Sequence, residues 1–153
     1  MRVGIGVAIR EGAAKPDIST PDALRKTLLA QQKVTYSNSS TGGLSGINAQ
    51  KVLQNLGIAD EMKSRVLPHA DGQGLIAKGE ADLGLYNVSE IPRAKGVVLL
   101  GPVPAAVQAY ITYDAAVPAS NPSPAAALEF LKLISSPAAE SSWRAAGLEM
   151  AAP

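Results

Sequence analysis

The 153-residue chain has no cysteine, one histidine, six aromatic residues and a formal net charge of only +1. Without cysteine there is no disulfide framework, no thiolate nucleophile and no cysteine zinc site. A single histidine excludes a histidine-rich metal centre. Charged residues make up 18% of the chain and nearly cancel, so no basic stripe exists to follow a phosphate backbone, which argues against nucleic acid as a partner. Aromatics at 4% leave few platforms for stacking bases. No apolar run approaches the roughly 20 residues of a membrane-spanning helix. What remains is a chain long enough for one domain or two small lobes, able to build a core without covalent staples.

The opening segment Met1–Arg10 alternates rather than forming an apolar block. Val3, Ile5, Val7 and Ile9 fall on one face, and Gly4, Gly6 and Ala8 on the other. Period two predicts a strand, not a signal peptide, and the small residues predict close approach by another element. Thr20-Pro21-Asp22 carries a hydroxyl cap, proline at the first helical position and an early acid, predicting a helix to about Gln31. Lys33–Tyr36 reads as a short strand. Ala49, Val52, Leu53 and Leu56 keep helical spacing, with Gly57 as the stop. A short helix and strand follow within 58–67, then helix over Asp71–Lys78, strand over Ala81–Tyr86 and strand over Val97–Leu100. Strands alternating with helices predict an α/β fold with a mainly parallel sheet covered on both faces. After Pro104 the composition shifts, since 12 of the 14 Lys and Arg residues lie before it. Ala109–Val117 reads as a strand. Helices are expected from about Ala125 to Ile134 and from Ser136-Pro137 to Ala146, ended by Gly147.

The densest chemistry lies in Ser37-Asn38-Ser39-Ser40-Thr41-Gly42-Gly43-Leu44-Ser45-Gly46, between a strand and a helix start. Free N–H groups and the helix dipole there favour an anion, glycines permit close backbone approach, and hydroxyls add neutral donors. An ordinary flexible turn with its helix cap has the same composition, so both readings stand. Gly43-Leu44-Ser45-Gly46-Ile47 misses Gly-x-Ser-x-Gly at its last position, and His69 alone could serve as base, which argues against a serine hydrolase. Gly72-Gln73-Gly74-Leu75-Ile76-Ala77 matches a loose dinucleotide pattern away from the first strand-to-helix turn, where that pattern would matter. Glu80 and Asp82 read as solvated carboxylates, and His69 as an exposed bystander.

Three segments in order carry a resemblance: Gly4–Ala13 with Lys15–Thr20; Ser40-Thr41-Gly42-Gly43-Leu44-Ser45-Gly46-Ile47; and Lys78–Leu85. With the closing Ser136-Pro137-Ala138-Ala139, the chain resembles bacterial extracellular solute-binding proteins of ABC transporters, in their molybdate-binding-like branch, over nearly its full length. The resemblance implies the type II periplasmic-binding-protein fold, with a ligand held between two α/β lobes joined by crossover strands. It places a crossover strand at residues 1–9, an α/β ligand-binding lobe at 10–106, and a returning crossover with C-terminal helices at 107–153. Ligand-binding residues by the same resemblance are Ser40, Thr41, Gly42, Gly43, Ser45, Gly46, Asn87 and Tyr110, with Arg10 as the nearby cation.

The expected function is non-catalytic binding of a small oxyanion or organic anion for ABC-type uptake, with no cofactor and with the transporter's membrane subunits as partners. Periplasmic or extracellular residence follows from the resemblance. Two alternatives remain: a ligand-sensing module of a regulatory protein, and a small α/β enzyme acting on a phosphate-containing substrate. Against the family's length the chain lacks most of a first lobe and a signal peptide. Leu128, Phe130, Leu131, Ile134 and Trp143 are then expected to lack their usual cover, predicting a homo-oligomer or a domain-swapped dimer.

Overall fold

Nine residues of alternating apolar and small side chains, Arg2–Arg10, form strand β1 of a six-stranded sheet. The computed structural model describes residues 1–38, 40 and 43–150. It divides into two compact units, Gly4–Ile111, and Met1–Val3 with Thr112–Pro153; β1 and β6 (Tyr110–Thr112), which pair with each other, each run from one unit into the other.

In the Gly4–Ile111 unit the sheet order is β3 (Val66–Pro68), β2 (Val34–Tyr36), β4 (Leu83–Asn87), β1, β5 (Val97–Pro102). β2 runs parallel to β3 and β4, while β1 runs antiparallel to β4 and β5. Four strands therefore point one way and β1, inserted between β4 and β5, points the other. The expected α/β fold stands; its sheet is mixed, four of these five strands running one way and β1, next to the β5 edge, pairing antiparallel with both its neighbours.

Side-chain alternation builds two cores. Ile5, Val7 and Ile9 join Leu83 and Leu85 on one face, packed with Leu24 and Leu28 of α1 (Pro21–Ala30), Ala49, Val52 and Leu53 of α2 (Leu44–Asn55), and Met62 of α3 (Ala59–Met62). Ala8 and Tyr86 face the other way, onto Ile76 of α4 (Gly72–Lys78), Ile91 and Val97. The Thr20 hydroxyl caps α1 by accepting the Ala23 N–H at 3.1 Å, with Pro21 at the first position. Gly57, at φ +68°, ends α2 in the left-handed region. The small residues of β1 admit a close neighbour as expected: a Cβ at Gly4 would lie 2.8 Å from the Gln108 side chain.

The terminal unit is tied by Arg2 and Glu149, which exchange two backbone hydrogen bonds at 2.8 Å and an ion pair at 3.0 Å. It carries α5 (Pro124–Ile134) and α6 (Glu140–Ala145), joined by the Trp143 indole donating to Ile134 O at 2.7 Å. The strand expected over Ala109–Val117 is shorter than its alternation suggested. β6 covers Tyr110–Thr112, and the Tyr113 N–H bonds Met1 O at 2.8 Å just past its end.

Candidate functional site

In the Gly4–Ile111 unit, β2, β4 and β5 end at one edge of the sheet, where antiparallel β1 begins. In open α/β sheets ligands bind outside the carboxyl ends of the strands. The chain leaves β2 at Tyr36, passes through Ser37 and Asn38, and enters α2 with Gly43 as its N-cap. Among the described residues no side chain caps this helix, and no acid lies in its first turn. The Gly46 N–H turns back to Gly43 O at 3.0 Å, and Ile47 N–H reaches the same oxygen at 3.4 Å. The N–H groups of Leu44 and Ser45 precede these bonds and have no intrahelical acceptor, so they are the donors this terminus can offer an anion.

Hydroxyls around the turn divide into used and available donors. Ser45 is 4% exposed, and its hydroxyl donates to Ser37 Oγ at 2.8 Å. That bond leaves the Ser37 hydrogen available at the helix start. Ser40 spends its donors locally: its N–H and hydroxyl both bond Asn38 Oδ1, at 3.0 and 2.7 Å. Thr41 and Gly42, also expected to bind ligand, lie outside the described residues.

Asn87 closes β4 at the same edge, paired in register with Ile5. Its side chain shares the face of Leu83 and Leu85, the face α2 covers. It is 4% exposed, its Nδ2 donates to Glu90 Oε1 at 2.7 Å, and its Oδ1 is buried with no hydrogen-bond partner among the described residues. On α2, Asn48 Nδ2 is likewise buried without a partner. Tyr110 also emerges at this edge. Gln108, two residues earlier, accepts the Ile5 N–H at 2.7 Å and donates to Ile5 O at 2.9 Å, clamping the returning chain to the start of β1.

Arg10 is not brought to this cluster. It pairs with Val97 at the start of β5 and lies beside Gly79, five strand residues from Ile5 and about 17 Å along β1. The expected nearby cation belongs to the opposite edge of the sheet. Sequence reasoning, for its part, missed Asn48 and Gln108 as members of the edge, and had Ser37 in its hydroxyl-rich segment without placing it among the ligand-binding residues.

The residues weighed as other chemistry have structural tasks. Asp82 Oδ2 accepts the Gln32 and Lys33 N–H groups at 2.9 and 2.7 Å, bracing the entry to β2. His69 is exposed, and its Nδ1 accepts the Asp71 N–H at 3.0 Å. The glycines of the dinucleotide-like pattern answer to packing: a Cβ at Gly72 would fall 2.0 Å from the Tyr86 hydroxyl. A cavity of about 310 Å³ lies on the outer flank of α2, between Tyr36, Gln50, Lys63 and Pro68. No group of three His, Asp or Glu residues able to hold a metal occurs among the described residues. Nor is any of their helices long and apolar enough to cross a membrane.

The pattern of the bacterial extracellular solute-binding proteins matches residues 2–149. The chain belongs to that family. An aconitate isomerase from a Pseudomonas species is 32% identical over 148 residues, which is 95% of this chain and 55% of that protein. The substrate-binding domain of a putative molybdenum ABC transporter from Clostridium difficile superposes with a TM-score of 0.82 at 16% identity, over 99% of this chain and 65% of that one. The periplasmic molybdate-binding protein of Azotobacter vinelandii gives 0.56 at 23% identity, over 99% and 68%. At these identities the solved structures speak to the fold. They agree with the periplasmic-binding-protein-like architecture and with the family read from the sequence motifs. The chain spans little more than half the length of the curated relative.

Proposed function

We propose that this chain binds a small oxyanion or organic anion outside the cytoplasm for uptake through an ABC-type transporter, and performs no chemistry on it. The observation that carries the reading is the family match over residues 2–149. The site is consistent with it, because an uncapped helix start without a first-turn acid attracts an anion through N–H groups and dipole rather than through a cationic cluster. In this reading residues 10–106 are the ligand-binding lobe, 1–9 and the start of 107–153 are crossovers, and Gly43, Ser45, Gly46, Asn87 and Tyr110 meet the ligand, with Ser37 as an added donor. Ser40 shapes the turn through Asn38.

Calorimetric titration of the chain with molybdate, sulfate, phosphate, aconitate and small di- and tricarboxylates tests the proposal. Saturable binding of at least one at submillimolar concentration is expected, and no heat from any of them at millimolar concentration overturns it. The 32% identity to an aconitate isomerase favours a second reading, in which the site interconverts aconitate isomers. Chromatography of aconitate after incubation with the chain separates the two: turnover replaces the transport reading, and binding without turnover supports it. We further propose that the chain self-associates through α5, which buries none of its residues.

A further inference from the structure

We infer that the ligand of this site carries a hydrogen-bond donor beside its negative charge, as in a hydroxycarboxylate or a singly protonated oxyanion, and that Asn87 Oδ1 receives that donor. The inference rests on the anion-binding reading and sharpens it.

The amide of Asn87 cannot be turned at will. Its Nδ2 is held by the Glu90 carboxylate at 2.7 Å, and a carboxylate accepts only, so the nitrogen must face Glu90 and the oxygen must face the other way. Strand alternation directs that side chain to the face covered by α2. α2 begins at this same edge of the sheet, so its first turns lie beside the end of β4. Ser45, Gly46, Ala49 and Val52 mark the buried side of α2, and Asn48 shares a stripe with Ser45 and Val52 at three- and four-residue spacing.

Two buried polar atoms, one at the end of β4 and one in the second turn of α2, therefore have no hydrogen-bond partner among the described residues. Asn87 Oδ1 is an acceptor, in a residue 96% buried, and Asn48 Nδ2 is a donor. Buried polar groups are almost always paired, and leaving one unpaired carries the full penalty of its lost hydration. The helix N–H groups, the Ser37 hydroxyl and Asn48 Nδ2 all offer hydrogens, which suits an anion. Asn87 Oδ1 offers a lone pair backed by the Glu90 charge, which repels a fully deprotonated oxyanion and welcomes an O–H. A site built to hydrogen-bond a ligand hydroxyl discriminates strongly against the analogue lacking it.

Matched pairs differing by that hydrogen test this on the intact chain: malate against succinate, citrate against tricarballylate, and hydrogenphosphate against sulfate at a pH where both are dianions. In calorimetric titrations the hydroxyl-bearing member of at least one pair is expected to bind tenfold or more tightly. Asn87→Leu, which keeps the bulk and removes the acceptor, is expected to shrink that advantage below threefold. Should the carboxylate pairs discriminate and the phosphate pair not, the donor is a ligand hydroxyl; the reverse makes it an acid proton. Members binding alike in every pair would mean that the two asparagines hold only water, overturning the donor assignment while leaving solute binding in place. No binding by any of the six overturns both.

Discussion

The Tyr86 side chain is 2% exposed, and its hydroxyl lies 3.1 Å from Thr35 Oγ1. Thr35 gives its own hydrogen to Leu67 O at 2.9 Å, so Tyr86 is the donor of the pair. Burial pushes the phenol up to about 12 against the lowering effect of Thr35, with the Glu90 and Asp71 charges adding to the rise. An unfolded chain ionises its tyrosines near pH 10, while this one keeps its proton to about 12 in the fold. The resulting stability, up to about 2.7 kcal/mol for a shift of about two units, is fully present below pH 10 and is lost as the pH rises through 12. Urea midpoints measured from pH 9 to 12 should fall steeply for the wild type. Tyr86→Phe should start about 1 kcal/mol lower and lose less over that range. Parallel slopes for the two proteins would refute the assignment to Tyr86. The same hydroxyl accounts for Gly72: the glycine of the dinucleotide-like pattern stands where the phenol needs room.

Among the elements, α1 is the one whose ends were written most plainly. Thr20, Pro21 and Asp22 predict its start, and the structure begins the helix at Pro21 with the Thr20 hydroxyl on the Ala23 N–H. Thr20→Ala should therefore cost about 1 kcal/mol in chemical denaturation, and Thr20→Ser should restore most of it. A Thr20→Ala midpoint equal to that of the wild type would count against the cap. Local signals of this kind made most helices and strands legible, along with the Gly43–Gly46 turn. What was not legible depends on partners distant in sequence. The alternation of 109–117 cannot show where pairing with β1 stops, because that is set by a segment a hundred residues away; the ladder closes with the Tyr113 N–H on Met1 O, and the strand is shorter than its pattern suggests. Arg10 was placed near the ligand because it follows the first strand, although counting residues along an extended strand carries it to the far edge. Asn48 and Gln108 are not legible because their roles arise from hydrogen bonds and burial across the fold, not from spacing; Ser37 is legible as a hydroxyl of the turn, but not which of those hydroxyls stays available.

At the scale of the whole molecule, the anomaly is α5. Its sequence Pro124–Ile134 is strongly apolar, yet no residue in it is buried, and Leu128, Phe130 and Leu133 are 50, 60 and 64% exposed. Tyr113, in the same unit, adds a further 45%-exposed aromatic. A short helix gains most of its stability from packing its apolar face, and contiguous apolar surface left in water marks an interface. The chain covers 55% of the aconitate isomerase and 65% of the Clostridium difficile protein, so residues that cover such a face in longer relatives need not be among these 153. For the chain as it stands, a second copy is the surface always present at matching concentration. Light scattering at micromolar concentrations should accordingly give a multiple of the monomer mass. Phe130→Glu should return it toward the monomer, because a charge among the exposed apolar side chains that Phe130 shares with Leu133 must be desolvated on association. Since the substitution lies outside the Gly4–Ile111 unit, the binding titrations should be unaffected by it. A monomeric mass for the unaltered chain, with the α5 face in water, would overturn the self-association proposal.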